Sequence, residues 1–137
     1  CFHCLQIAWE KKSGKRVIFE NDEAIVIAPF FSRVPFEIDV FPKKHSPYFE
    51  NALNIELRGV AEALQVALGS IGRNLGDPDF NFFIHTAPIK NKKKYTHYHW
   101  HVEVYPKFRL WGGFEYGTGM KINAYDPDLV AEILRKQ

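Results

Sequence analysis

The chain has 137 residues, 46% of them hydrophobic and 15% aromatic, enough apolar surface for one folded unit, and this excludes a disordered segment. A formal net charge of +2 is too small to mark a nucleic-acid surface, no apolar run approaches the ~20 residues of a membrane span, and no signal or transit pattern is read. A cytoplasmic protein is expected, without nucleic acid or membrane as partner.

Both cysteines fall in Cys1-Phe2-His3-Cys4, which excludes a disulfide framework. A disulfide closing so short a loop would be a redox feature. The C-x-x-C spacing is also half of a zinc site, which needs two more ligands from elsewhere in the chain. The chain starts at Cys1 and its single methionine is Met120, so it reads as a domain cut from a longer protein.

Residues 15–19 and 24–28 are rich in Val, Ile and Phe, and Glu20-Asn21-Asp22-Glu23 between them supplies turn residues, which predicts a β-hairpin. Pro29 ends it. Pro35 forces an extended entry into Phe36-Glu37-Ile38-Asp39-Val40-Phe41, where apolar and acidic residues alternate as in a strand with one wet face. Pro42 closes that strand, and Lys43-Lys44-His45 follows as a basic loop.

From Leu53 to Leu75, Leu57, Val60, Ala61, Leu64, Ala67, Leu68, Ile71 and Leu75 recur at helical spacing, which predicts one long helix with its apolar stripe on a sheet. Asn54 is the expected N-cap, and Gly76-Asp77-Pro78-Asp79 the stop. A strand over 80–87 is expected next, followed by a lysine-rich loop (Lys90, Lys92, Lys93, Lys94) that is read as solvated, with a contact to substrate phosphate as the alternative.

In His97-Tyr98-His99-Trp100-His101-Val102-Glu103 polar and apolar side chains alternate strictly, the pattern of a half-buried strand antiparallel to the preceding one. Side chains two residues apart share a face and are roughly 6.5–7 Å apart along a strand. His97, His99, His101 and Glu103 would then form one titratable row, with Tyr98, Trp100 and Val102 packed behind. Such a row can hold a metal, a phosphate, or a nucleophile with its partner; a wet sheet face is the bland alternative. His85 on the neighbouring strand would support the row from beside it. The glycine-rich run after Trp111 is read either as a tight turn between strands or as a backbone approach to phosphate or sugar. Asp126-Pro127 caps and starts a short helix ending at Arg135.

The order of these parts, with C-x-x-C, Pro42-Lys43-Lys44-His45, the long helix and His-x-His-x-Glu, resembles the histidine-triad superfamily. The segments NFFIHTAP (81–88), HYHWHVEVYPK (97–107), GGFEYGTGMKIN (112–123) and DPDLVAEILR (126–135) sharpen this. Together they resemble the C-terminal half of the galactose-1-phosphate uridylyltransferase family, close to its ADP-glucose phosphorylase-like branch. The resemblance implies an α+β fold: a histidine-triad-like antiparallel β-sheet with one long helix and a short C-terminal helix. It also implies a single domain, 1–137, standing as the C-terminal domain of a two-domain protein that forms a homodimer. Members move a nucleoside monophosphate between a nucleotide sugar and a sugar phosphate, or phosphate, through a histidine-linked intermediate.

Carried over residue by residue, the resemblance implies zinc on Cys1, Cys4, His45 and His99, with His97 as the alternative to His99. Two thiolates and two imidazoles make a closed set of structural type. His101 then occupies the nucleophile position, and Glu103 the place of its partner, usually Gln. A carboxylate there repels an incoming phosphate unless it is protonated or paired. The family's His-Pro-His segment is not found in this sequence. The C-terminal half instead lends contacts to a nucleotide sugar or sugar phosphate across a subunit interface, through Arg109, Phe114 and Glu115. Two other readings stand beside this one: an independent histidine-triad hydrolase or phosphorylase using His101, and a non-catalytic binding module.

Overall fold

The computed structural model describes residues 1–107 and 111–136. Strands β1 (Val17–Glu20), β2 (Ala24–Ile27), β3 (Ile38–Pro42), β4 (Phe80–His85) and β5 (His101–Pro106) form one antiparallel sheet in the order β1-β2-β3-β5-β4. Helices α1 (Phe2–Ser13), α2 (Asn54–Leu75), α3 (Gly113–Thr118) and α4 (Pro127–Leu134) complete the chain.

The sheet has helices on both faces, so its central strands are buried throughout. Period-two alternation divides the work. Val26, Ile38, Val40, Val102 and Val104 meet Val60, Ala63, Ala67 and Ile71 of α2 and Val130 and Leu134 of α4 in the main core. Ile25, Ile27 and Phe41 point the other way, to Ile7 of α1. Trp100, fully buried, fills the main core beside Phe49 at 5.1 Å.

Helix α2 runs as expected, with two corrections. Asn54 is its first residue rather than its cap: the Glu56 carboxylate accepts the Leu53 N–H at 2.9 Å and closes the first turn. Ala61 is exposed, while Ala63 and Gly59 face inward. A Cβ on Gly59 would stand 2.4 Å from Glu23 Cβ, so glycine is what lets the β1–β2 turn dock here. Asn21 secures that turn, donating to Gly59 O at 2.9 Å and accepting the Ala24 N–H at 2.7 Å.

Helix α1 was not foreseen. Phe2, Leu5 and Trp9 are exposed, so no one-sided apolar stripe announces it, and its cap is the Cys1 thiol, which accepts the Cys4 N–H at 3.4 Å. Gly14, at φ 68, ends it. The buried Glu10 carboxylate binds Arg16 through Nε and Nη2 (3.0 and 2.9 Å), and Arg16 continues to Asp128 of α4 at 2.8 Å. Ion pairing at Oε1 offsets the burial of this carboxylate, whose Oε2 has no hydrogen-bond partner, and ties the end of α1 to the C-terminal helix.

The histidine strand is shorter than its alternation implies. Pairing begins only at His101 with β4 and at Val102 with β3; residues 97–100 lie outside the sheet, where the Trp100 N–H donates to Ser46 O at 2.9 Å. The glycine-rich run forms α3 rather than a turn between strands, with Glu115 accepting the Gly112 N–H at 3.0 Å.

Candidate metal centre and histidine cluster

Three chain segments converge at the open end of β5. The first turn of α1 brings Cys1 and Cys4, the loop after β3 brings His45, and the extended entry to β5 brings His99. Their ligand atoms all lie within 4.8 Å of one another. Cys4 Sγ is 3.4 Å from His45 Nδ1 and 3.5 Å from His99 Nδ1, and Cys1 Sγ is 3.9 Å from His99 Nδ1. A tetrahedral ion bound at ~2.3 Å to sulfur and ~2.0–2.1 Å to nitrogen needs S···N edges of roughly 3.5 Å. The donor set fits such an ion.

The outer nitrogens fix the rings. His45 Nε2–H donates to Thr96 O, and His99 Nε2–H donates to Pro42 O, both at 2.8 Å. Each bond leaves Nδ1 as the lone pair toward the thiols, the orientation a metal-binding imidazole requires. Burial pushes the pKa of His99 down to about 4, helped by nearby His45, His3 and His101 and opposed by the bond to Pro42. The ring is therefore neutral at ordinary pH, the form that binds metal. His97 is exposed and outside this group.

One step along β5 lies a second cluster. Because β3, β5 and β4 are in register, Asp39 stands opposite Glu103, Phe83 opposite Glu103 from the other side, and His85 opposite His101. His101 is 4% exposed. Its Nδ1–H donates to His99 O at 3.0 Å and its Nε2 faces Glu103 Oε1 at 3.3 Å. His85 stacks on His101 at 5.0 Å, with its Nε2 3.1 Å from Glu103 Oε2 but not aligned as a hydrogen bond. The Tyr105 hydroxyl donates to Glu103 Oε2 at 2.9 Å, and Arg33 Nη2 donates to the same oxygen.

Glu103 is thus the hub. Burial opposes its ionisation, yet the bonds from His101 and Tyr105 and the charges of His85 and Arg33 hold its pKa down to about 2. The carboxylate is ionised and paired. Behind it, burial pushes Asp39 well above the usual carboxylate range, with Glu37 and Glu103 adding and Arg33 opposing, and Asp39 Oδ1 has no hydrogen-bond partner. Burial also raises Glu37, against bonds from the Arg33 and Val34 N–H groups. The His85, His101 and Glu103 donor atoms also lie within 4.8 Å of one another, a spacing a metal could use, although Arg33 occupies Glu103.

The sequence pattern missed several members of this cluster. His3 from α1 places its ring 4.6 Å from His101, and Tyr98, expected behind the sheet, lies on the histidine side at 6.4 Å. Tyr98 precedes β5, so strand alternation does not govern it. Arg33 carried no signal, being 70 residues from Glu103, whereas Asp39 was visible as an acid in an apolar strand. Phe114 is exposed on α3, and Glu115 lines a separate cavity with Arg33, Tyr105 and Trp111. Arg109 lies outside the described residues.

No protein-family model matches the chain. It is 37% identical over 128 residues to ADP-glucose phosphorylase of Arabidopsis thaliana, covering 93% of this chain and 36% of that protein. With galactose-1-phosphate uridylyltransferase of Thermotoga maritima it shares 26% over 135 residues, 93% of this chain and 42% of that protein. The crystal structure of an ADP-glucose phosphorylase from Arabidopsis thaliana with bound ADP-glucose superposes with a TM-score of 0.84 at 34% identity, covering 93% of this chain and 42% of the other. A hypothetical histidine triad nucleotide-binding protein from Sulfolobus tokodaii, at 14% identity and a TM-score of 0.69, shares 99% of this chain and 90% of its own length, which shows the fold alone. The chain spans less than half the length of the curated relatives it matches. Its antiparallel sheet, its helices and these relatives agree that the chain is, over most of its length, a homologue of the galactose-1-phosphate uridylyltransferases and ADP-glucose phosphorylases, with a histidine-triad-like fold.

Proposed function

We propose that this chain is the zinc-supported, C-terminal scaffold domain of a nucleotidyltransferase acting on nucleotide sugars, and that His101 organises its cluster rather than attacking phosphorus. One observation carries this reading: both nitrogens of the His101 ring face oxygen acceptors, His99 O and Glu103 Oε1. With Nδ1 turned to the His99 carbonyl, the nitrogen left for attack, Nε2, points at the Glu103 carboxylate rather than at a space an α-phosphorus could enter. Pairing of Glu103 with Arg33 removes the repulsion that a bare carboxylate would exert on substrate phosphate.

Zinc on Cys1, Cys4, His45 and His99 would supply folding energy, as closed four-ligand sets do. The nucleotide-sugar substrate is supported by the relative that binds ADP-glucose. Phe114 and Glu115, with Arg109, are the proposed contacts to the sugar and phosphate.

The second reading, an independent histidine-triad enzyme with His101 as nucleophile, is favoured by the burial of His101 beside a carboxylate. The full-length protein should be incubated with ADP-glucose or UDP-glucose, with phosphate or galactose 1-phosphate as acceptor, and the acid-labile nucleotidyl adduct mapped. Turnover with an adduct that persists in His101→Ala supports the scaffold reading. An adduct on His101 overturns it in favour of the second, and no turnover of either nucleotide sugar overturns both.

A further inference from the structure

We propose that Cys1 and Cys4 form a redox switch: a small-molecule disulfide converts the pair reversibly to a Cys1–Cys4 disulfide, which expels the zinc ion and frees the first turn of α1 from His45 and His99. The proposal rests on the ligand set proposed above and adds a way to empty it. Cys1 and Cys4 are the only cysteines among the 137 residues, and both are free thiols. Oxidation therefore has one intramolecular product within this chain.

Access and reach both favour the exchange. Cys1 and His45 are exposed, Cys4 is partly buried and His99 alone is fully buried, so a small oxidant meets the sulfurs without the domain opening. The two sulfur atoms lie within 4.8 Å of each other on the first turn of one helix. Cβ atoms three residues apart on a helix are about 5–6 Å apart, and a disulfide holds them about 3.5–4.5 Å apart. Cys1 is the N-cap of α1, a position only half inside the helix. A local turn of this one residue closes the gap.

The Cys1 thiolate, the more exposed of the two, attacks one sulfur of the oxidant, which forms a mixed disulfide and releases one thiolate. The Cys4 thiolate then attacks the Cys1 sulfur, and the second half of the oxidant leaves as a thiolate. Each cysteine sulfur loses one electron and the oxidant gains both. Two imidazoles then remain, half of what a tetrahedral zinc site needs. His45 and His99 keep their places throughout, because Thr96 O and Pro42 O hold their outer nitrogens at 2.8 Å. Reduction therefore finds two of the four ligands already aimed, and the site reloads.

The zinc-loaded protein should be treated with glutathione disulfide while its zinc content, its cysteine peptides and its amide hydrogen exchange are followed. Loss of about one equivalent of zinc per chain is expected, together with a peptide carrying the Cys1–Cys4 bond and faster exchange in α1 while α2 is unchanged. Dithiothreitol with added zinc should restore all three. In Cys1→Ser the reaction should stop at a mixed disulfide on Cys4. Zinc content that is the same in wild type, Cys1→Ser and Cys4→Ser before oxidation overturns the ligand set and the switch together. Zinc that depends on the cysteines but stays bound under oxidation, or leaves without the Cys1–Cys4 bond, overturns the switch and leaves the ligand set standing. Unchanged exchange in α1 overturns the release of the helix, and a loss that dithiothreitol does not reverse overturns the switch as a reversible device.

Discussion

The His99 Nε2–H group donates to the carbonyl oxygen of Pro42 at 2.8 Å, so the residue that ends β3 sets the tautomer of a ring lying 57 positions later. That bond aims Nδ1 at two thiols and makes the loop after β3, the entry to β5 and the first turn of α1 into one unit. Cys4→Ser is expected to reduce bound zinc from about one equivalent per chain to near none and to lower the melting temperature, as measured by elemental analysis and calorimetry. Equal zinc content in the variant would remove Cys4 from the ligand set.

Glu103→Gln breaks the pairs with Arg33, His85 and His101 and should cost about 1–3 kcal/mol at neutral pH, since Arg33 is half exposed and water softens the loss. The sign with pH is fixed by the depressed pKa, about 2 against an ordinary 4.5. Stabilisation from Glu103 is complete above 4.5 and disappears as pH falls from there through about 2. Urea melts of wild type and variant should therefore converge below pH 4.5; a gap that stays constant to pH 2 contradicts the pairing.

Asp39 behaves oppositely. Its pKa is raised by burial and by Glu37 and Glu103, so the folded chain keeps the proton while the unfolded chain releases it above the ordinary 3.8. Stability from this group is full below that value and falls as pH rises toward the folded pKa. Asp39→Asn keeps the shape without the charge. Its melting temperature should match the wild type near pH 3.5 and exceed it increasingly at higher pH; a difference that does not change with pH would show that Asp39 does not titrate in this way.

Gly59→Ala should destabilise despite the better helix propensity of alanine. The added methyl would sit 2.4 Å from Glu23 Cβ, the root of a side chain that cannot swing away. Overpacking of this kind costs about 1–3 kcal/mol against a propensity gain of about 1. A thermal melt at or above that of the wild type would mean the β1–β2 turn yields instead.

Much of this was legible because it rests on periodicity. The hairpin, β3 and β4, and the stripe of Val60, Ala67 and Ile71 on α2 follow from period-two and helical spacing, whereas the Cys1, Cys4, His45, His99 set is what the family resemblance implies, and the fold brings those four together. What escaped depends on contacts distant in sequence. Trp100 bonding to Ser46 pulls residues 97–100 out of the strand, so Tyr98 changes sides. Helix α1 buries little more than Ile7 and Glu10 and takes its cap from a thiol. Arg33 neutralises Glu103 from a loop with no pattern of its own. Helix α3 did leave a trace, Glu115 three residues after Gly112, which the surrounding glycines masked.

Helix α1 is moored twice, by its thiols at one end and through Glu10 and Arg16 to Asp128 at the other. Demetallation would cast off only the first mooring, and the helix would hang as a flap hinged on Arg16. His3 would leave the His101 ring, and water would gain entry to Phe41, Ile25 and Ile27. An ion held there, at the rim of the domain, would thus govern how dry the histidine cluster stays.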